Sequence, residues 1–111
     1  MFYFKIMDTD DHGNFRTLFH GIDGSKILKP NKWHKADIKW VSDNGRSYLS
    51  GFHVLPTVEE CREYLARFKN IEKKIIVSCE CRKLRRKEHS SHNVFLCEKI
   101  KLLERIENAL Y

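Results

Sequence analysis

At 111 residues, 41% of them apolar and with two Trp, four Tyr and seven Phe, the chain is sized for a single compact domain, residues 1–111, built on one core. The formal charge of +6, from 21 basic against 15 acidic residues, favours an anionic partner such as a nucleotide, RNA or DNA, or an acidic protein surface. No apolar run nears the roughly 20 residues that span a bilayer, and Met1–Met7 lacks the charged head and small-residue cleavage site of a signal peptide. The expectation is a cytosolic protein without membrane association, whose four cysteines stay reduced.

In chain order, the aromatic and aliphatic residues 2 to 7 around Lys5 predict a first strand. Asp8–Asn14 carries turn residues, and residues 15 to 20 predict a second strand, ended by Gly21 and Asp23-Gly24 and joined to the first as a hairpin. Ile27–Trp33 is expected to be irregular and partly buried, because Pro30 excludes a central strand and Asn31 suits the cap of a short helical turn. Ala36–Val41 alternates, with Ala36, Ile38 and Trp40 on one side. An Asn44-Gly45 turn follows, and residues 47 to 54 extend again. Thr57 with Glu60 forms a capping box after Pro56. The helix it starts, about residues 58–68, carries Cys61, Tyr64, Leu65 and Phe68 on one stripe.

Lys74–Arg82 is a strand with Ile75, Val77, Cys79 and Cys81 on one face. The basic run Arg82–Lys87 reads as a solvated loop flanking a strand, as a contact for phosphate or nucleic acid, or as packing particular to the fold. After a polar connection, Val94–Cys97 resumes an apolar segment. Positions 100, 102, 103 and 106 fit either a strand or a closing amphipathic helix, and a strand to about Glu104 is preferred because it buries 94–103 against 75–81. The whole reads as α+β: a curved antiparallel sheet with one principal amphipathic helix packed on it.

Chemistry-bearing patterns are sparse. Cys79, Cys81, His89, His92 and Cys97 are zinc-type ligands within 19 residues, but the spacing is that of no standard finger, and a buried strand face accounts for the thiols. No metal or cofactor is expected. No cysteine lies where a thiolate is stabilised, and neither a phosphate-binding glycine loop nor a dinucleotide fingerprint is present. No catalytic residue is assigned. What remains is a set of polar and aromatic residues near strand ends: His20, Lys32, Trp33, Arg46, Tyr48, His53, Arg85, Arg86, His89 and Asn93. Rings beside cations serve the base and the phosphate of one ligand, and His53 precedes a helix N-terminus, a setting that attracts anions.

The order of segments resembles small uncharacterised proteins of bacteriophages and prophages. The resemblance is carried by Leu18-Phe19-His20-Gly21, Trp33 near Ala36, Ser50–Val54 ahead of a helix, Val77–Glu80 and the closing segment from His89 to Lys101. It implies an accessory role in the bacterial host cytosol, against host defence: sequestering a nucleotide signal, or blocking a host defence protein. A looser similarity is to ADP-ribosyltransferase-like folds. There His20-Gly21 and Tyr48 or Phe52 would embrace nicotinamide dinucleotide, with Glu80 or Glu98 as the carboxylate. The chain is short for that fold and lacks its Ser-Thr-Ser and Glu-x-Glu patterns, so binding without turnover is the leading expectation and ADP-ribosyl transfer the alternative.

Overall fold

The computed structural model describes residues 2–18, 26–43, 45–68, 73–88, 90 and 92–108. Its frame is a long antiparallel hairpin of β7 (Lys74–Arg86) and β8 (Phe95–Asn108), with β1 (Tyr3–Thr9) on the far side of β7. The other edge of β8 carries two short strands end to end: β6 (Phe52–Val54) against 95–97 and β3 (Trp33–Lys35) against 99–101. β2 (Phe15–Arg16) extends β1, and Ile27 bridges to Arg16. Beyond β6, Leu55 exchanges two backbone hydrogen bonds of 2.8 Å with Phe4, so the segment from Phe52 to Leu55 touches both β8 and β1. The sheet is therefore a curled half-barrel. The hairpin of β4 (Trp40–Asp43) and β5 (Arg46–Leu49) stands apart as a two-stranded arm.

The curl has a local cause. Register shifts between Ile76 and Val77 and between Val77 and Cys79 leave extra residues on β8, and such bulges bend a strand and sharpen its twist. Ser78 fastens this region. Its Oγ accepts from Glu104 N at 3.1 Å and donates to Glu104 O at 3.3 Å. Alternation along β7 then supplies two cores. Ile75, Val77 and Cys79 join Met7, Val54, Ile100 and Leu102 inside the curl. Ile76 joins Ile6, Leu55 and Val94 on the outer face, where α1 (Val58–Leu65) adds Cys61 and Leu65. Each such side chain, fully buried, contributes about 1.5–3 kcal/mol.

The curved antiparallel sheet, with one helix among the described residues, is the α+β arrangement expected from the pattern of elements. Thr57 caps α1, its Oγ1 accepting from Glu60 N at 3.1 Å. Gly45, with φ +79, makes the hairpin turn. Among the described residues no helix is long and apolar enough to cross a membrane.

Three expectations need correction. The second strand ends at Arg16 rather than running to 20; Thr17 and Leu18 are irregular, and 19–25 fall outside the described residues. The alternation from Ala36 marks a strand only from Trp40, and Trp40 is 69% exposed while Ala36 is buried. The basic run is not a loop: β7 continues through it to Arg86, pairing with β8 as far as Phe95. Charged side chains on a strand edge or outer face cost little, so polarity alone did not end the strand.

Candidate anion-binding cleft

Between the arm, the β6 segment and the part of β1 around Lys5 and Ile6 lies a cleft of about 690 Å³. Among the described residues Lys5, Lys26, Lys35, Lys39 and Lys87 line it, against a single carboxylate, Asp37. Asp37 is itself paired, accepting from Lys26 Nζ at 3.0 Å, and this hydrogen bond holds its carboxyl below the usual aspartate range. His34, Tyr48, Phe52 and His53 add rings. The site is cationic and aromatic together.

Strand register explains how these residues meet. Val41 pairs with Tyr48 across the arm and both line the cleft, whereas Trp40 and Leu49, paired one step away, share the other face of the arm. The base of the arm is held by backbone and side-chain bonds: Ser50 N donates to Lys39 O at 2.8 Å, Ser50 Oγ donates to Asp37 O at 2.8 Å and accepts from Lys39 N at 2.9 Å. Gly51 permits close approach to β8, since a Cβ there would lie 3.0 Å from Cys97 O and 3.3 Å from Leu96 Cβ. Tyr48 then stands edge-on to His53, ring centroids 6.4 Å apart, with Lys87 Nζ 4.8 Å from the Tyr48 centroid. His34 Nε2 donates to Lys29 O at 3.0 Å.

Lys5 comes from the inner face of β1. It is 5% exposed, and its Nζ donates to His53 O at 2.9 Å and lies 5.8 Å from the Phe52 centroid. Burial pushes its pKa down, the thiols of Cys97, Cys79, Cys81 and Cys61 opposing this in smaller measure. Cys79 and Cys81 approach to 3.8 Å between sulfurs. The Cys81 thiol is pushed up chiefly by its hydrogen bond with Cys79, and that of Cys97 chiefly by its hydrogen bond with Cys81 and by burial. Cys81 and Cys97 keep their protons at neutral pH.

Of the residues singled out in the sequence, Tyr48 and His53 line the cleft. Lys32, Trp33, Arg46, Arg86 and Asn93 do not. Trp33 faces away from it and stacks under Arg82, 4.2 Å from guanidinium carbon to ring centroid. Arg46 and Arg86 are exposed at the start of β5 and the end of β7. Arg85 serves the fold: its guanidinium donates to Leu49 O at 3.0 Å and to Ser50 O. Asn93 Nδ2 donates to Glu60 Oε1 at 3.4 Å. His20 and His89 lie outside the described residues.

The helix N-terminus beyond His53 is occupied by the chain's own acids, since Glu59 and Glu60 fill the first turn and Glu60 completes the cap. Phe52 lines the cleft, while Glu80 and Glu98 do not; Glu98 lies 3.8 Å from Lys83. His92 packs edge-on against Tyr64, centroids 5.3 Å apart. Among the described residues no group of three or more His, Cys, Asp or Glu is arranged to hold a metal.

Sequence reasoning passed over Lys5, Lys26, Lys35 and Lys39, because single lysines scattered through a basic chain carry no local pattern; Lys87 was marked only as part of the basic run. The one available signal was Lys5, a cation in the middle of an otherwise apolar strand. No family model, no curated protein and no solved structure matches this chain.

Proposed function

We propose that the protein binds a small nucleotide-like anion in the lysine-lined cleft, without turning it over. The observation that carries this reading is the charge balance of the described lining: Lys35, Lys39 and Lys87, against one aspartate that is already paired with Lys26. Tyr48, Phe52 and His53 offer faces and edges for a base, while Lys35, Lys39 and Lys87 suit phosphate oxygens. A volume of 690 Å³ falls within the roughly 300–1,000 Å³ typical of small-ligand sites, which favours a single nucleotide over an extended strand. In the phage setting that the sequence resemblance implies, such binding would sequester a nucleotide signal.

Calorimetric titration with nucleoside mono- and triphosphates, and with a short RNA, tests this. Saturable one-to-one nucleotide binding that weakens with salt is expected, and the double variant Lys35→Glu/Lys39→Glu should lose about tenfold or more in affinity. Equal affinity in that variant, or binding confined to RNA, contradicts the reading.

The alternative of an inhibitor that covers a host protein draws on one feature. Trp40, 69% exposed, shares the outer face of the arm with Leu49, while Ile38 and Leu84 are also exposed. A stoichiometric host partner captured by the wild type at moderate salt and lost with Trp40→Ser would favour it.

A further inference from the structure

The proposed anion site leaves one group without a role: the amine of Lys5. A buried lysine normally sits against a carboxylate. Among the described residues Lys5 has instead one hydrogen bond, to the backbone carbonyl of His53, and its Nζ lies over the Phe52 ring, 5.8 Å from the centroid. The ionisable groups that act on it electrostatically are the thiols of Cys97, Cys79, Cys81 and Cys61, and none of the carboxylates described is among them. Cys81 and Cys97 stay protonated, so they provide no counter-charge.

An ammonium carries three N–H donors; a neutral amine has two and a lone pair. With one carbonyl as acceptor, the neutral form suits this position better, and desolvation favours the same form. Although only 5% exposed, Lys5 is part of the cleft lining. Desolvated lysine amines of this kind act as nucleophiles toward carbonyl compounds.

We propose that Lys5 captures an aldehyde-bearing ligand in the cleft as a Schiff base, the lysines at the cleft rim holding the ligand's phosphate. The Nζ lone pair adds to the carbonyl carbon, and the C=O π electrons pass to oxygen, which takes up the proton released from nitrogen. The carbinolamine then loses its hydroxyl with the remaining N–H proton as water, leaving a C=N bond. Amine and aldehyde give imine and water, with no oxidant or reductant consumed. The preference for a phosphorylated aldehyde rests on the anion-binding reading; the reactivity of the amine does not.

The test treats the full-length chain at neutral pH with limiting pyridoxal 5′-phosphate, or in parallel with propanal, which has no anionic group. Cyanoborohydride then fixes any imine as a secondary amine, and peptide mass mapping locates it. Lys5 should be modified first and to one equivalent by both probes, ahead of an exposed lysine such as Lys32, since a lowered pKa leaves more of the amine neutral. Modification of Lys5 by the phosphorylated probe should fall in Lys35→Glu/Lys39→Glu, while modification by propanal should not. Adducts spread over exposed lysines with Lys5 unmodified would overturn the proposal. Selective propanal labelling of Lys5 together with an unchanged phosphate response in the charge-reversed variant would leave the amine chemistry standing and remove the anion-binding reading. The map is read on the wild type, so no variant at Lys5 need fold.

Discussion

The guanidinium of Arg85 donates to the carbonyl oxygen of Leu49 at 3.0 Å and also to that of Ser50, thirty-six and thirty-five residues away in sequence. One side chain from the main sheet thus holds the root of an arm that shares no strand pairing with that sheet. Because Tyr48 belongs to this arm, the cleft wall depends on the same bonds.

Arg85→Ala should therefore loosen the arm more than the molecule. Amide hydrogen exchange should speed up over 40–43 and 46–49 while β7 and β8 keep their protection. Global stability should fall by about 1–2 kcal/mol, the range for losing charge-assisted bonds at a partly exposed site. Uniform loss of protection would argue against a local clamp.

Ser78→Ala should be costlier than its size suggests. The hydroxyl serves both the N–H and the C=O of Glu104 at the bulged part of the hairpin, and Ser78 is buried. Removing it leaves two backbone groups without that partner, at about 1–3 kcal/mol. Urea denaturation should show a lower midpoint with an unchanged slope.

Much of the frame was legible in the sequence because its causes are local. Thr57 and Glu60 specify a cap wherever they occur before an apolar stripe, and Asn44-Gly45 between extended runs specifies a hairpin. Ile75, Val77 and Cys79 fall on one face through the period of the strand alone. The cleft was not legible, because it is made by register. Lys87 reaches Tyr48 only because β7 runs on through the basic segment, and Lys5 meets His53 only because Leu55 bridges to Phe4. Arg85 and Asn93 looked like free polar groups, yet the fold uses both to join elements more than thirty residues apart.

The thiols should be unreactive in the folded state. Cys61, Cys79 and Cys97 are buried, and hydrogen bonding with burial pushes Cys81 and Cys97 away from the thiolate form. A thiol-disulfide reagent at mildly alkaline pH should titrate essentially none of the four cysteines until denaturant is added, and then all four. Rapid reaction of Cys97 in the native protein would contradict this environment.

Acid should selectively weaken the first hairpin. Asp10 accepts from Arg16 Nε at 2.9 Å and from the backbone N–H groups of His12 and Asn14, with the Arg16 bond the largest influence lowering its pKa. A carboxyl depressed in the folded state stabilises that state fully above its unfolded pKa of about 3.9, and the contribution is lost as pH falls toward the folded value. The melting temperature of the wild type should thus exceed that of Asp10→Ala at neutral pH, and the gap should narrow below about pH 4. A gap independent of pH would mean that the charge is irrelevant.

Amide chemical-shift mapping with a nucleoside triphosphate separates the cleft from the basic outer strand most directly. Saturable shifts should cluster at Lys35, Lys39, Tyr48, Phe52, His53 and Lys87, which line the cleft. Shifts confined to Arg82, Lys83 and Arg86, or none that saturate, would contradict an anion site in the cleft.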